Sequence, residues 1–131
     1  MFAIALRLKP DQDPYQELKA LVAEKHIKAG VILSLVGSFK KASIRFANKE
    51  KADLLEGPFE IVSATGTIGM AGQHIHVGIA DKEGRMIGGH LSPGSLIFTT
   101  CEVVVLDLSN EWTFERVLDS ETGYPELKPI R

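Results

Sequence analysis

The sequence predicts an α+β fold: one domain, a largely antiparallel twisted sheet, with one main helix near the N-terminus packed on it. Three observations carry this. A single capped, amphipathic segment follows Asp13. Nearly everything after residue 30 alternates or runs apolar in strand-length pieces. A hairpin centred on residues 81–85 has a register that its own apolar pattern selects.

The elements follow in order. Residues 2–8 alternate as a strand. Asp13-Pro14-Tyr15-Gln16 opens a helix, with Asp as N-cap, Pro at the first helical position and Gln closing a capping box. Leu18, Leu21 and Val22 line one face, with Ala29 near the end. Lys25, His26 and Lys28 fill the last turn, where cations suit the helix dipole, and Gly30 is the expected stop. His26 belongs to that helix end. Residues 31–36 are apolar and bounded by Gly37, and residues 43–46 alternate weakly. Residues 59–68 read as a long strand with a bend at Gly66. Ser92-Pro93-Gly94-Ser95 is a turn, and residues 96–106 form the most hydrophobic strand. Its last part is apolar on both faces, which asks for cover on both and hints at a subunit interface or a second sheet of the same chain. Residues 112–118 are a final strand. The tail from Asp119 reads as turns, with Pro125 and Pro129.

The hairpin carries the chemistry. From Gln73 to Ala80, Ile75, Val77 and Ile79 share one face, and His74, His76, Gly78 and Ala80 the other. A three-residue loop, Lys82-Glu83-Gly84, sets Asp81 opposite Arg85. Ile79 then meets Ile87, Gly78 meets Gly88, His76 meets His90, and Leu91 falls opposite Ile75. A one-residue slip would put His90 among the isoleucines. In this register His76 and His90 have β-carbons about 5 Å apart, and His74 is the diagonal neighbour at roughly 7 Å. Three imidazoles so placed can converge on one divalent ion, with zinc the natural choice and a fourth position left for water or substrate. The facing glycines 78 and 88 predict an empty notch beside them.

Composition bounds the rest. The chain has 131 residues, enough for a core without disulfides, and 44% of them are hydrophobic. The longest apolar run, Val103 to Leu106, is far too short to span a bilayer. The N-terminal segment has neither the charged region nor the cleavage site of a signal peptide. The single Cys101 sits in an apolar run and reads as a buried thiol, and the cytoplasm is the expected compartment. The net charge of −2 argues against DNA as the main partner. One local exception is the cluster Lys40, Lys41, Arg45, Lys49 and Lys51, a nucleic-acid patch or a solvated hairpin whose lysines guard an edge.

The stretch from Gly57 to Gly66 (Gly-Pro-Phe-Glu-Ile-Val-Ser-Ala-Thr-Gly), the Gly-rich strands after it and Gly88-Gly89-His90-Leu91 resemble the plant and prokaryote conserved (PPC) domain. The close, Arg116-Val117-Leu118-Asp119-Ser120-Glu121-Thr122-Gly123, resembles the bacterial pattern, and the likeness covers nearly the whole of residues 1–131. The resemblance implies a domain built on a largely antiparallel sheet, assembling as a homotrimer, with His74, His76 and His90 holding zinc. Plant members join the domain to AT-hook segments that grip DNA. This chain has no Arg-Gly-Arg-Pro hook, and Pro58 replaces the arginine of the plant motif.

Three functions are open on these grounds. The first is a non-enzymatic, trimeric binding module with a metal site. The second is a zinc-dependent enzyme, a hydrolase or lyase acting on a small molecule at the open metal position, with Glu60 and Glu102 as candidate buried acid–base groups inside apolar strands or, more simply, carboxylates at an edge position or ion-paired with Arg85 or Arg116. The third is a DNA-binding regulator using residues 40–51.

Overall fold

A computed structural model describes residues 2–131. Among them the chain forms β1 (Phe2–Leu8), α1 (Pro14–Lys25), β2 (Gly30–Arg45), β3 (Asp53–Gly69), β4 (Gly72–Ala80), β5 (Met86–Leu91), β6 (Leu96–Asp107), β7 (Thr113–Leu118) and β8 (Pro125–Ile130). Six strands make one antiparallel sheet in the order β1-β6-β2-β3-β4-β5, and β5 returns to pair with β2. Strands β2 to β5 therefore close into a ring. No helix among the described residues is long and apolar enough to cross a membrane.

Closure works because β2 changes partners along one edge. It pairs with β6 from Gly30 to Lys41, then with β5 at Ile44 and Arg45. The β5–β6 turn sits at that corner. There the Ser43 amide donates to the buried Ser95 Oγ at 2.8 Å, and the Ser92 amide donates to the Ser43 carbonyl at 3.0 Å. The inner face is apolar: Phe39, Ile44, Ile75, Ile79 and Ile97 are fully buried, and Leu18 and Val22 of α1 pack into the same cluster. Alternation does the sorting, since every second residue of a strand faces inward.

The helix starts as expected. Asp13 caps it, its Oδ1 accepting from the Tyr15 and Gln16 amides, and its Oδ2 accepts from the Gly94 amide at 2.8 Å. Its end differs from expectation. The helix stops at Lys25, and His26, not Gly30, takes the left-handed cap conformation (φ 53°), donating its amide to the Val22 carbonyl. Ile27 is drawn into the core immediately afterwards, the apolar contact that accompanies such a cap. Gly30 instead opens β2, where a β-carbon would lie 3.0 Å from Ile68 Cγ1.

Two further expectations change. Residues 31–36 and 43–46 are not separate strands but ends of one 16-residue strand, because Gly37 is needed for approach rather than termination. A β-carbon there would lie 2.2 Å from the Thr100 carbonyl oxygen. The tail is not all turn: β8 pairs with β7 from Thr113–Ile130 to Leu118–Pro125. β8 has no other partner in the sheets, so its prolines sit on an edge strand, where the missing donors cost little. On β6, Val103 and Val105 are buried while Val104 and Leu106 are half-buried, so the outward face of that strand is only partly covered within the chain.

Candidate metal centre

The β4–β5 ladder has the register read from its apolar pattern: Ile79 faces Ile87, Gly78 faces Gly88 and His76 faces His90. The loop closes as expected, with the Asp81 amide donating to the Arg85 carbonyl at 3.0 Å. The notch does not form. A β-carbon on Gly88 would lie 2.5 Å from the Val77 carbonyl oxygen, and one on Gly78 would lie 2.6 Å from Ser63 Oγ. These glycines bring strands together and leave no void for a ligand.

That close packing sets the histidines. His74 Nε2 lies 3.1 Å from His76 Nε2, and His76 Nε2 lies 3.1 Å from His90 Nδ1. One ligand nitrogen from each ring falls within 4.8 Å of the others. The rings of His74 and His90 lie nearly parallel, 18° apart, with His76 edge-on to both. Hydrogen bonding alone serves this trio poorly. An imidazole nitrogen has either one N–H or one lone pair, yet His76 Nε2 faces two nitrogens at equal distance. A single cation among the three nitrogens would take up all three lone pairs together, and a three-nitrogen set suits a divalent metal. Burial, followed by the neighbouring His76 and Arg116, holds His74 below the ordinary imidazole range. Burial, then Arg45, does the same for His90. Both shifts favour the neutral ring, the form that ligates. His26 caps the helix and is not in the group.

The trio opens on a groove of about 1120 Å³ whose lining includes Tyr15, Arg45, Gln73, Arg116, Tyr124 and Glu126. Of these, Tyr124 and Glu126 come from the tail read as turns, and Arg116 from the strand expected over residues 112–118. In the sequence Arg116 belongs to a terminal motif and is a possible ion partner of Glu60 or Glu102; nothing in its spacing points at the histidines, and β7 brings it there.

Glu60 and Glu102 do not join the site. Both are exposed, which removes the reading of them as buried carboxylates. Glu60 faces Ser38 and Ala80, five residues along β3 from Thr65, the strand partner of His76. Glu102 lies between Arg7 and Val36. An apolar strand leaves its outward positions wet, which is why neither carboxylate is buried. The ion pairs considered for them do not form either: Arg85 pairs with Asp81, and Arg116 donates to Thr67 Oγ1 at 3.0 Å.

The basic segment does not form a bare cationic stripe. Lys40 pairs with Asp11 at 2.7 Å, Lys41 with Glu56 at 3.5 Å and Lys49 with Asp53 at 3.2 Å. Lys51 is exposed in the β2–β3 turn. Arg45 leaves the group, lying opposite His90 on the strand pair β2–β5.

Comparison with known proteins agrees with this fold. The chain is 44% identical over 122 residues to the bifunctional protein GlmU of Synechococcus sp. (strain JA-3-3Ab), across 93% of this chain and 20% of that protein. It thus spans about a fifth of the length of the curated relatives it matches. A hypothetical protein of Salmonella cholerae-suis (Salmonella enterica) has the same fold with a TM-score of 0.95 and 35% identity, covering 98% of this chain and 93% of that one. A metal-containing protein of Archaeoglobus fulgidus matches with a TM-score of 0.80 and 33% identity, over 98% and 94% of the two chains. The Plants and Prokaryotes Conserved (PCC) domain matches residues 1–109, most of the chain, so the chain belongs to that family.

Proposed function

We propose that this protein is a homotrimeric binding module that holds one zinc ion per chain on His74, His76 and His90. The observation that carries the reading is the convergence of three imidazole nitrogens, two of the distances being 3.1 Å. That spacing suits nitrogens about 2.0–2.1 Å from a common zinc. The metal content of the Archaeoglobus fulgidus relative supports it. Self-association is supported by Leu33, Val36, Val62 and Phe98, large apolar residues left exposed on β2, β3 and β6. A lone buried thiol suits a reducing compartment, so the cytoplasm is part of the proposal.

The test is metal analysis of untagged protein. Wild type is expected to carry near-stoichiometric zinc, His76→Ala much less and His26→Ala as much as wild type. Equal zinc in wild type and His76→Ala would remove the site. A second reading, a zinc-dependent hydrolase or lyase, draws on the groove beside the trio, since a three-histidine site with an open position lowers the pKa of bound water to about 7. Turnover of small esters, phosphates or lactones that disappears in His90→Ala would favour it. DNA binding would rest on residues 40–51, three of which are already ion-paired. It predicts a steep fall of affinity with salt.

A further inference from the structure

Four residues line up across four strands at matched register. Thr65 of β3 faces His76 of β4, His76 faces His90 of β5, and His90 faces Arg45 of β2. Arg45 thus flanks the trio on the His90 side. On the other side, His74 faces Thr67, whose hydroxyl accepts from Arg116 Nη2 at 3.0 Å. Two guanidiniums therefore stand on opposite sides of the histidines. Each is held by a neutral oxygen: Arg116 by that hydroxyl, Arg45 by the Lys49 carbonyl at 3.1 Å. Neither forms an ion pair among the described residues. A guanidinium carries five N–H donors in a rigid fork matched to carboxylate and phosphate, and only one is used in each contact.

The charges do not balance once a metal is present. Three neutral imidazoles leave a divalent ion its full charge, and the two arginines add theirs. Glu50 and Glu126 line the same groove and offset half of that. Lys49, also in the lining, is already paired with Asp53. Like charges gathered in one groove are costly without a counter-ion. The groove has room for the body of an organic molecule, and Tyr15 and Tyr124 offer it aromatic walls.

We propose that the open metal position, Arg45 and Arg116 together bind a small organic oxyanion, a carboxylate or phosphate, with an oxygen on the metal and the guanidinium forks beside it. The proposal rests on the metal reading above and names the ligand class of that site. It applies equally to a non-enzymatic sensor and to an enzyme whose substrate is anionic.

The experiment uses cobalt(II)-loaded full-length protein, because cobalt's visible spectrum reports its coordination directly. Inorganic phosphate, malonate and the neutral control glycerol are each titrated in. Phosphate or malonate is expected to change the spectrum saturably, and glycerol to leave it alone; the tighter of the two anions identifies the headgroup. Arg45→Gln and Arg116→Gln are expected to keep cobalt but to weaken the anion about tenfold or more, the loss of one charge-assisted hydrogen bond. Lys82→Gln, on the hairpin loop, is expected to change nothing. If Arg116→Gln does not fold, Arg45→Gln decides. Cobalt that binds while neither anion alters its spectrum overturns this inference and leaves the metal site standing, as does anion affinity unchanged in the arginine variants. Wild type that takes up no cobalt overturns both.

Discussion

His76 is the residue on which the site turns, because its Nε2 lies 3.1 Å from a nitrogen of each companion. It is there because Gly88 lets β5 approach β4 closely. Gly88→Ala would push a β-carbon to 2.5 Å from the Val77 carbonyl oxygen, a backbone atom that cannot swing aside. We expect a loss of about 1–3 kcal/mol in urea denaturation, together with weaker metal retention as His90 moves off. Asp81 holds the other end of the hairpin. The Arg85 amide first, then the Glu83 amide, both 2.9 Å from Oδ1, keep its carboxyl below the usual carboxylate range. A depressed folded value stabilises the fold above the unfolded pKa of about 3.9, and that contribution fades as pH falls through the lower folded value. Asp81→Asn should therefore flatten the pH dependence of the urea midpoint below about pH 4. An unchanged profile would remove Asp81 from the account. Burial pushes the Cys101 thiol up to about 12, so it is an inert part of the core rather than a nucleophile.

At the level of elements, the helix start and the β5–β6 turn are tied by one carboxylate. Asp13 caps α1 with one oxygen and takes the Gly94 amide with the other. Asp13→Ala should cost more than an ordinary cap, about 2 kcal/mol, because both ends of the bridge lose a partner. Urea denaturation measures it, and a loss below about 0.5 kcal/mol would show that water replaces the carboxylate. The β4–β5 hairpin was the most legible element, since strict alternation leaves one register that keeps isoleucine inside. The helix end was less legible, because a left-handed histidine leaves no glycine to mark the stop. β8 was hidden by Pro125 and Pro129, which count against a strand until an edge position is known.

The whole molecule presents Val36 outward beside Glu102 and next to the Gly37–Ile61 pair. If this face joins copies of the chain, Val36→Glu would bury an unpaired carboxylate near a second one, a change interfaces do not tolerate. Light scattering should then show wild type near three times 14.3 kDa and the variant near one. A monomeric wild type would refute the trimer. Closure of the β2–β5 ring is also a whole-molecule property. It puts Arg45 beside His90, although the two lie far apart in the chain.

The sequence by itself determined the fold class, the capped helix and the pairing of His74, His76 and His90. Each of these follows from local periodicity and one tight loop, and local patterns are written in consecutive residues. Only the tertiary structure decided that Glu60 and Glu102 face outward, that three lysines of the basic segment are ion-paired, and that Arg45 and Arg116 flank the histidines. Those facts depend on which distant strands become neighbours, and no spacing along the chain records that.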